Sequence, residues 1–213
     1  MKCDRSYMCL YAITDRTWLG EQTLEQQVEE ALKGGITCLQ LREKHLTEEE
    51  FLREAVQIKE LCKRYKVPLF INDNVQVAIQ GGADGVHVGQ HDMEAGNVRK
   101  RIGENMILGV SVHTVEEAVE AEKKGADYLG VGAVFPTVTK ADAHTLSHEM
   151  VKNICQAVSI PVVAIGGIDA DNISKLEGTG VDGVALISAI FKSSSIENTC
   201  RELRRLSEKM VEE

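Results

Sequence analysis

Apolar residues along this chain gather into eight short runs, at 9–13, 38–42, 69–71, 85–88, 107–112, 128–132, 162–165 and 183–187. Each run has the length and β-branched content of a strand, and the segments between them have helical spacing. Thr47 followed three residues later by Glu50 predicts a capped helix start, and Leu52, Val56, Lys59 and Leu61 carry that helix toward Tyr65. Gly34-Gly35, Gly81-Gly82 and Gly125 close other helices, where a residue without a Cβ ends a helix at little cost. Eight runs in 213 residues give one strand per roughly 27 residues, the length of a βα unit and too long for a hairpin. The expected fold is therefore α/β, a single-domain (β/α)8 TIM barrel over residues 1–213, with an open doubly wound sheet as its competitor.

An internal repeat favours closure of the barrel. Gly35-Ile-Thr-Cys-Leu-Gln-Leu41, Gly82-Ala-Asp-Gly-Val-His-Val88, Gly125-Ala-Asp-Tyr-Leu-Gly-Val131 and Gly180-Val-Asp-Gly-Val-Ala-Leu186 align without gaps and introduce every second strand. Within them one parity holds Leu39, Leu41, Val86, Val88, Leu129, Val131, Val184 and Leu186, which should pack against helices. The other parity, Gln40, Arg42, His87, Gly89, Gly130, Gly132, Ala185 and Ile187, faces the barrel axis. Small and polar side chains there leave room for a ligand seated in the mouth.

Composition narrows the partners. Acidic residues number 33 against 24 Lys and Arg, a formal charge of -9, and no basic run occurs. Neither nucleic acid nor an anionic membrane is an expected partner, so an anionic ligand needs a local cluster of cations. The apolar stretch near the N-terminus ends at Thr14-Asp15-Arg16, too soon for a signal peptide, and no run approaches the length of a membrane span. A cytoplasmic location is expected. Six cysteines without a C-x-x-C pair read as free, mostly buried thiols.

In such barrels the strand C-termini and following loops form the site. Arg42-Glu43-Lys44 follows the second strand, and Gln40, Arg42 and Lys44 share a parity that would project toward one anion. Asn72-Asp73 follows the third strand and Gly89-Gln-His-Asp92 the fourth, so Asp73 and Asp92 can converge on one Mg2+, which binds through one or two carboxylates and phosphate oxygens. His87 and His91 are spaced for zinc only on a helix; on a strand they lie over roughly 13 Å apart. Ser111 follows the fifth strand as a hydrogen-bonding group. The long loop after the sixth strand carries Pro136-Thr-Val-Thr-Lys140, suited to wrapping an anion. Gly166-Gly167 after the seventh strand and Ile187-Ser188-Ala189, where a short helix should begin, resemble a phosphate site of glycine backbone and helix N-terminus. Two anion sites at one mouth describe an enzyme with two substrates.

Leu39-Gln-Leu-Arg-Glu-Lys44, Ile71-Asn-Asp73, Gly82-Ala-Asp-Gly-Val-His-Val-Gly-Gln90 with Asp92, Gly109-Val-Ser111, Phe135-Pro-Thr-Val-Thr-Lys140, Ile165-Gly-Gly-Ile168 and Ile187-Ser-Ala189 resemble, in order and over essentially the whole chain, the thiamine phosphate synthase family. The resemblance implies a transferase that joins 4-amino-2-methyl-5-(diphosphooxymethyl)pyrimidine to a thiazole phosphate and releases diphosphate, with CO2 lost from a carboxylated thiazole. It assigns the segment Gln40, Leu41, Arg42, Glu43 and Lys44, together with Asn72, Ser111 and Lys140, to the pyrimidine diphosphate. Of these, Arg42, Lys44, Ser111 and Lys140 are the candidate catalytic groups. Thr137, Val138, Thr139, Gly167, Ile187 and Ser188 would hold the thiazole phosphate, and Asp73 and Asp92 one Mg2+ per subunit. Partners would be small molecules, and homo-oligomeric assembly is compatible. The nearest alternatives are a thiazole tautomerase on the same barrel and a non-catalytic phosphate-binding barrel.

Overall fold

The computed structural model describes residues 3–89, 95–137 and 145–212. Its strands are β1 (Leu10–Ile13), β2 (Cys38–Leu41), β3 (Leu69–Asn72), β4 (Gly85–Val88), β5 (Ile107–Val112), β6 (Tyr128–Gly132), β7 (Val162–Ile165) and β8 (Gly183–Leu186). They pair in parallel in sequence order, and β8 returns to β1 to close the barrel. The (β/α)8 expectation holds, with strand limits within about one residue of the sequence reading.

Among the described residues the helices are α1 (Leu24–Lys33), α2 (Glu48–Tyr65), α3 (Val75–Gln80), α4 (Ala95–Ile102), α5 (Val115–Lys123), α6 (His148–Ala157), α7 (Ser188–Phe191) and α8 (Ile196–Glu212). The capping box at Thr47 and Glu50 forms in both directions, and a second one forms at Thr23 and Gln26. The apolar face of α2 differs from the expected one. Phe51, Ala55, Ile58, Leu61 and Cys62 are buried, while Val56 is 46% exposed and Lys59 pairs with Asp84 at 2.5 Å. A stripe starting one residue earlier, at Phe51, buries a larger side chain than one starting at Leu52. All six cysteines are free, four of them buried.

The two strand parities divide as expected. Leu39, Leu41, Val86, Val88, Leu129, Val131, Val184 and Leu186 join the helix faces in one large core. Tyr11, Cys38, Phe70, Ile107, Tyr128, Val163 and Ala185 form a second core inside the barrel. Its floor is aromatic: Phe70 stacks on Tyr128 with ring centroids 5.5 Å apart, and Tyr11 meets Phe70 edge-on at 5.8 Å. Two of the inward glycines expected to leave space stand close to neighbours: a Cβ on Gly130 would lie 3.2 Å from the His87 ring, and one on Gly132 would lie 2.0 Å from the Ile165 carbonyl oxygen. Two further glycines face the aromatic rings: a Cβ on Gly109 would stand 2.2 Å from the Tyr128 ring, and one on Gly85 would stand 2.8 Å from Phe70. These two glycines make room for rings, and the rings raise a polar floor under the mouth.

The repeat has a mechanical meaning as well. At its third position the backbone N–H of Thr37, Asp84, Asp127 and Asp182 donates to the carbonyl of Leu10, Leu69, Leu108 and Val162 respectively. The same side chains accept from the N–H of those four residues, each at 2.8 Å. Every odd strand is thus clamped at its start by the residue that leads into the next strand. Each aspartate is also paired with a cation: Lys59, Arg99 or Arg5. We expect Asp127→Ala to cost about 2–3 kcal/mol, because it strands the Leu108 N–H and removes the carboxylate opposite Arg99, whose guanidinium keeps only the carbonyls of Gly103, Met106 and Gly125. Thermal unfolding should then fall by about 4–12 °C. Asp127→Asn, which keeps an acceptor, should lose less; equal melting of wild type and Asp127→Ala would show the clamp to be dispensable.

Candidate active site at the barrel mouth

The end of β2 and the loop after it hold the first cluster. Lys44 is exposed, and it lines a cleft of about 620 Å³ together with Glu43, Asn72, Asp73, Asn74 and Arg101. Arg42 is half-buried, and its guanidinium lies 3.4 Å from the Asp15 carboxylate. The expected gathering of Lys44, Asn72 and Asp73 is therefore present. Two other residues of this segment behave differently. Leu41 is fully buried, main chain included, in the core shared with the helices. Glu43 turns its carboxylate inward to Arg16, with 2.8 Å from Arg16 Nε to each oxygen.

Asp73 has φ +61°, in the left-handed region that few residues other than Gly, Asn and Asp adopt readily. Its N–H donates to the His87 carbonyl at 2.8 Å, which fixes this turn to the end of β4. Left-handed backbone on a non-glycine residue at a strand terminus is a frequent mark of a functional position. Asp92, Val138, Thr139, Lys140 and His91 lie outside the described residues.

Below this cluster a hydrogen-bonded chain crosses the barrel. Gln40 Nε2 donates to Tyr11 Oη at 2.8 Å, and Tyr11 Oη lies 2.8 Å from Tyr128 Oη. Tyr128 Oη in turn lies 2.8 Å from His87 Nδ1, and His87 Nε2 lies 2.9 Å from Ser111 Oγ. Two residues expected at the pyrimidine, Gln40 and Ser111, are thus the two ends of one network. Burial drives the phenols of Tyr11 and Tyr128 well above their usual range, so both stay protonated and can donate. With both ring nitrogens of His87 hydrogen-bonded, a zinc role for it has no support. The sequence reading missed Tyr11 and Tyr128, because tyrosines at strand starts look like ordinary core. Their alternation in phase with Gln40 and His87 was the available signal.

The opposite side of the mouth carries the glycine loop. Gly166 and Gly167 have φ +99° and +66°, and a Cβ on Gly167 would lie 2.4 Å from the Pro136 carbonyl oxygen. The loop after β6 therefore lies directly on the loop after β7, with Phe135 N donating to Gly166 O at 3.0 Å. Asn172 Nδ2 holds the Gly167 carbonyl at 2.8 Å. α7 begins at Ser188 behind Ile187, and the first N–H groups of a helix have no acceptor within it. Thr137, Gly167, Ile187 and Ser188 are all half-buried, with Ile187 packed against the inner core.

A family model described as thiamine monophosphate synthase matches residues 10–190. The chain belongs to the thiamine monophosphate synthase family. Among relatives of this family, the thiamine-phosphate synthase of Clostridium tetani is 49% identical over 194 residues, covering 91% of this chain and 93% of that protein. That of Clostridioides difficile is 51% identical over 187 residues, covering 88% of this chain and 89% of that protein. A solved structure of thiamine phosphate pyrophosphorylase from Pyrococcus furiosus superposes with a TM-score of 0.89 at 42% identity, covering 97% of this chain and 98% of that one. Among the described residues, no helix is long and apolar enough to cross a membrane.

Proposed function

We propose that this thiamine monophosphate synthase family member joins 4-amino-2-methyl-5-(diphosphooxymethyl)pyrimidine to a thiazole phosphate, releasing diphosphate, and CO2 where the thiazole is carboxylated. The observation that carries this reading is the layout of one mouth: a polar cleft at β2 and β3 that brings Lys44, Asn72 and Asp73 together, a glycine and helix-start site at β7 and β8, and a polar floor between them. On this reading Arg42, Lys44, Asn72 and Lys140 take the diphosphate. Gln40 and Ser111 take the pyrimidine ring. Because Gln40 Nε2 points down to Tyr11, its amide oxygen faces the other way, as an acceptor for the exocyclic amine.

The metal is part of the proposal. Asp73 offers a hard oxygen donor on the wall of the cleft that also holds Lys44, and Mg2+ takes one or two such carboxylates beside phosphate oxygens. Those donors fit Mg2+, with Asp92 as the second carboxylate. When bound it would supply positive charge to the departing diphosphate.

The reaction then needs little from the protein beyond placement and charge. The aminopyrimidine feeds electrons toward its exocyclic CH2, so the C–O bond breaks with its electron pair leaving on diphosphate. The thiazole nitrogen uses its lone pair to form the new C–N bond, and no base is required. Arg42, Lys44 and Lys140 stabilise the charge that grows on the leaving oxygen. A thiazole tautomerase would need no diphosphate site, so retention of Arg42, Lys44 and Pro136-Thr-Val-Thr-Lys140 favours the synthase.

Ser188→Asp tests the two-site layout. A carboxylate at the start of α7 should occupy the helix donors and repel a phosphate, raising KM for thiazole phosphate by about a hundredfold. KM for the pyrimidine diphosphate should change by less than about threefold, since a screened charge across the mouth acts weakly. Equal loss for both substrates would contradict the layout.

A further inference from the structure

Arg42 and Lys44 flank a third charge, Glu43, whose sign is wrong for an anion site. The structure shows where that charge goes. The Glu43 side chain is only 2% exposed and accepts from Arg16 with both oxygens. Arg16 also donates through Nη2 to Glu54 on α2, so one guanidinium ties the loop after β1, the loop after β2 and a helix together.

The neighbouring residues continue this grip in register. Thr14 N donates to Gln40 O at 3.0 Å, Arg42 N donates to Thr14 Oγ1 at 2.9 Å, and Asp15 faces Arg42. Thr14, Asp15 and Arg16 thus hold Gln40, Arg42 and Glu43 from one side, like a buckle.

We propose that Arg16, gripping Glu43 and Glu54, is a positioning device that shapes the 42–44 loop for the pyrimidine diphosphate, and that Glu43 positions this loop without touching substrate. The inference rests on the reading of that loop given under the proposed function. Arg16 cancels the Glu43 charge beside the cleft, so that Lys44, and Arg42 beside Asp15, meet a diphosphate without Glu43 opposing them. Two carboxylates share this single cation, however. Glu54 is 18% exposed, and its Oε2 is buried without a hydrogen-bond partner. Burial pushes the Glu54 carboxyl up to about 7; Arg16 from the first loop opposes the rise and Glu43 from the second adds to it. Below that pH the trio is neutral. Above it one uncompensated negative charge sits behind the diphosphate loop.

The test is binding of inorganic diphosphate with Mg2+ to the full chain by calorimetry, at several values between about pH 6 and 8.5, for wild type and Glu54→Gln. Titration of the ligand is common to both proteins and cancels in the ratio of their Kd values. That ratio, wild type over variant, should rise by about threefold or more as pH increases, because only wild type gains the extra charge. A ratio independent of pH would overturn the proposal. In parallel, Arg16→Ala should weaken diphosphate by about tenfold or more while thiazole phosphate binding changes less than about twofold. Arg16→Lys, which keeps the charge but not the fork, should fall between and serves if the alanine variant does not fold. Undiminished diphosphate binding by Arg16→Lys and by a folded Arg16→Ala would also overturn it. A wild type that binds diphosphate but makes no thiamine phosphate would count against the function and leave the positioning role standing.

Discussion

Asp73→Asn should lower turnover by at least about a thousandfold, the scale expected when the positive charge that stabilises a leaving group is lost. Asparagine is the informative substitution because Asp73 sits at φ +61°. Asparagine tolerates that region nearly as well as aspartate, whereas alanine would add about 1–2 kcal/mol of backbone strain to any chemical effect. Asp73 is exposed and belongs to the loop after β3, so the asparagine variant should melt within a few degrees of wild type. Asp92→Ala should show the same loss of turnover, and elevated Mg2+ should recover part of it in either variant. Steady-state rates against Mg2+ concentration, with thermal melts alongside, check this. Full activity with unchanged Mg2+ dependence in both variants would remove the metal assignment.

Lys140→Ala is expected to slow C–O cleavage by roughly a hundred- to a thousandfold, or about 3–4 kcal/mol, while leaving thiazole phosphate affinity nearly intact. If the bond breaks before the thiazole attacks, charge on the departing oxygen is greater in the transition state than in the bound substrate. A cation aimed there acts on rate more than on affinity. Of the described residues on either side of Lys140 in the chain, Phe135 N donates to Gly166 O at 3.0 Å and Leu146 N to Ala133 O at 2.7 Å. Both hydrogen bonds lie at the mouth. Single-turnover cleavage and separate thiazole phosphate binding distinguish the roles. Normal cleavage with weakened thiazole binding would place Lys140 at the other end of the site.

The barrel was legible because its signal is local. Strand runs repeat at the βα period, and alternation within Cys38–Leu41 or Tyr128–Gly132 tells helix-facing from axis-facing side chains. The loop residues were legible for a related reason: each follows a strand end, where this fold puts its chemistry. What the sequence withheld is pairing between distant residues. Nothing local says that Arg16 meets Glu43 and Glu54, or that Tyr11 meets Tyr128, 117 positions away. The register of closure brings these together. The repeat was visible as a pattern, but Asp84, Asp127 and Asp182 acquire their role only once each odd strand lies beside the next. The face of α2 was misjudged although its spacing was readable: Phe51, Ala55, Ile58 and Cys62 keep helical steps of four, three and four, whereas Leu52, Val56, Lys59 and Leu61 end on a step of two and include a charge.

The central claim is a condensation of two phosphorylated substrates with Mg2+-assisted loss of diphosphate. Its most direct test is to incubate the purified chain with both substrates and quantify thiamine phosphate and diphosphate together, with Mg2+ and again after chelation. The account predicts that the two products appear in equal amounts, that each requires both substrates, and that chelation stops both. Interconversion of thiazole phosphate tautomers without release of diphosphate would contradict it.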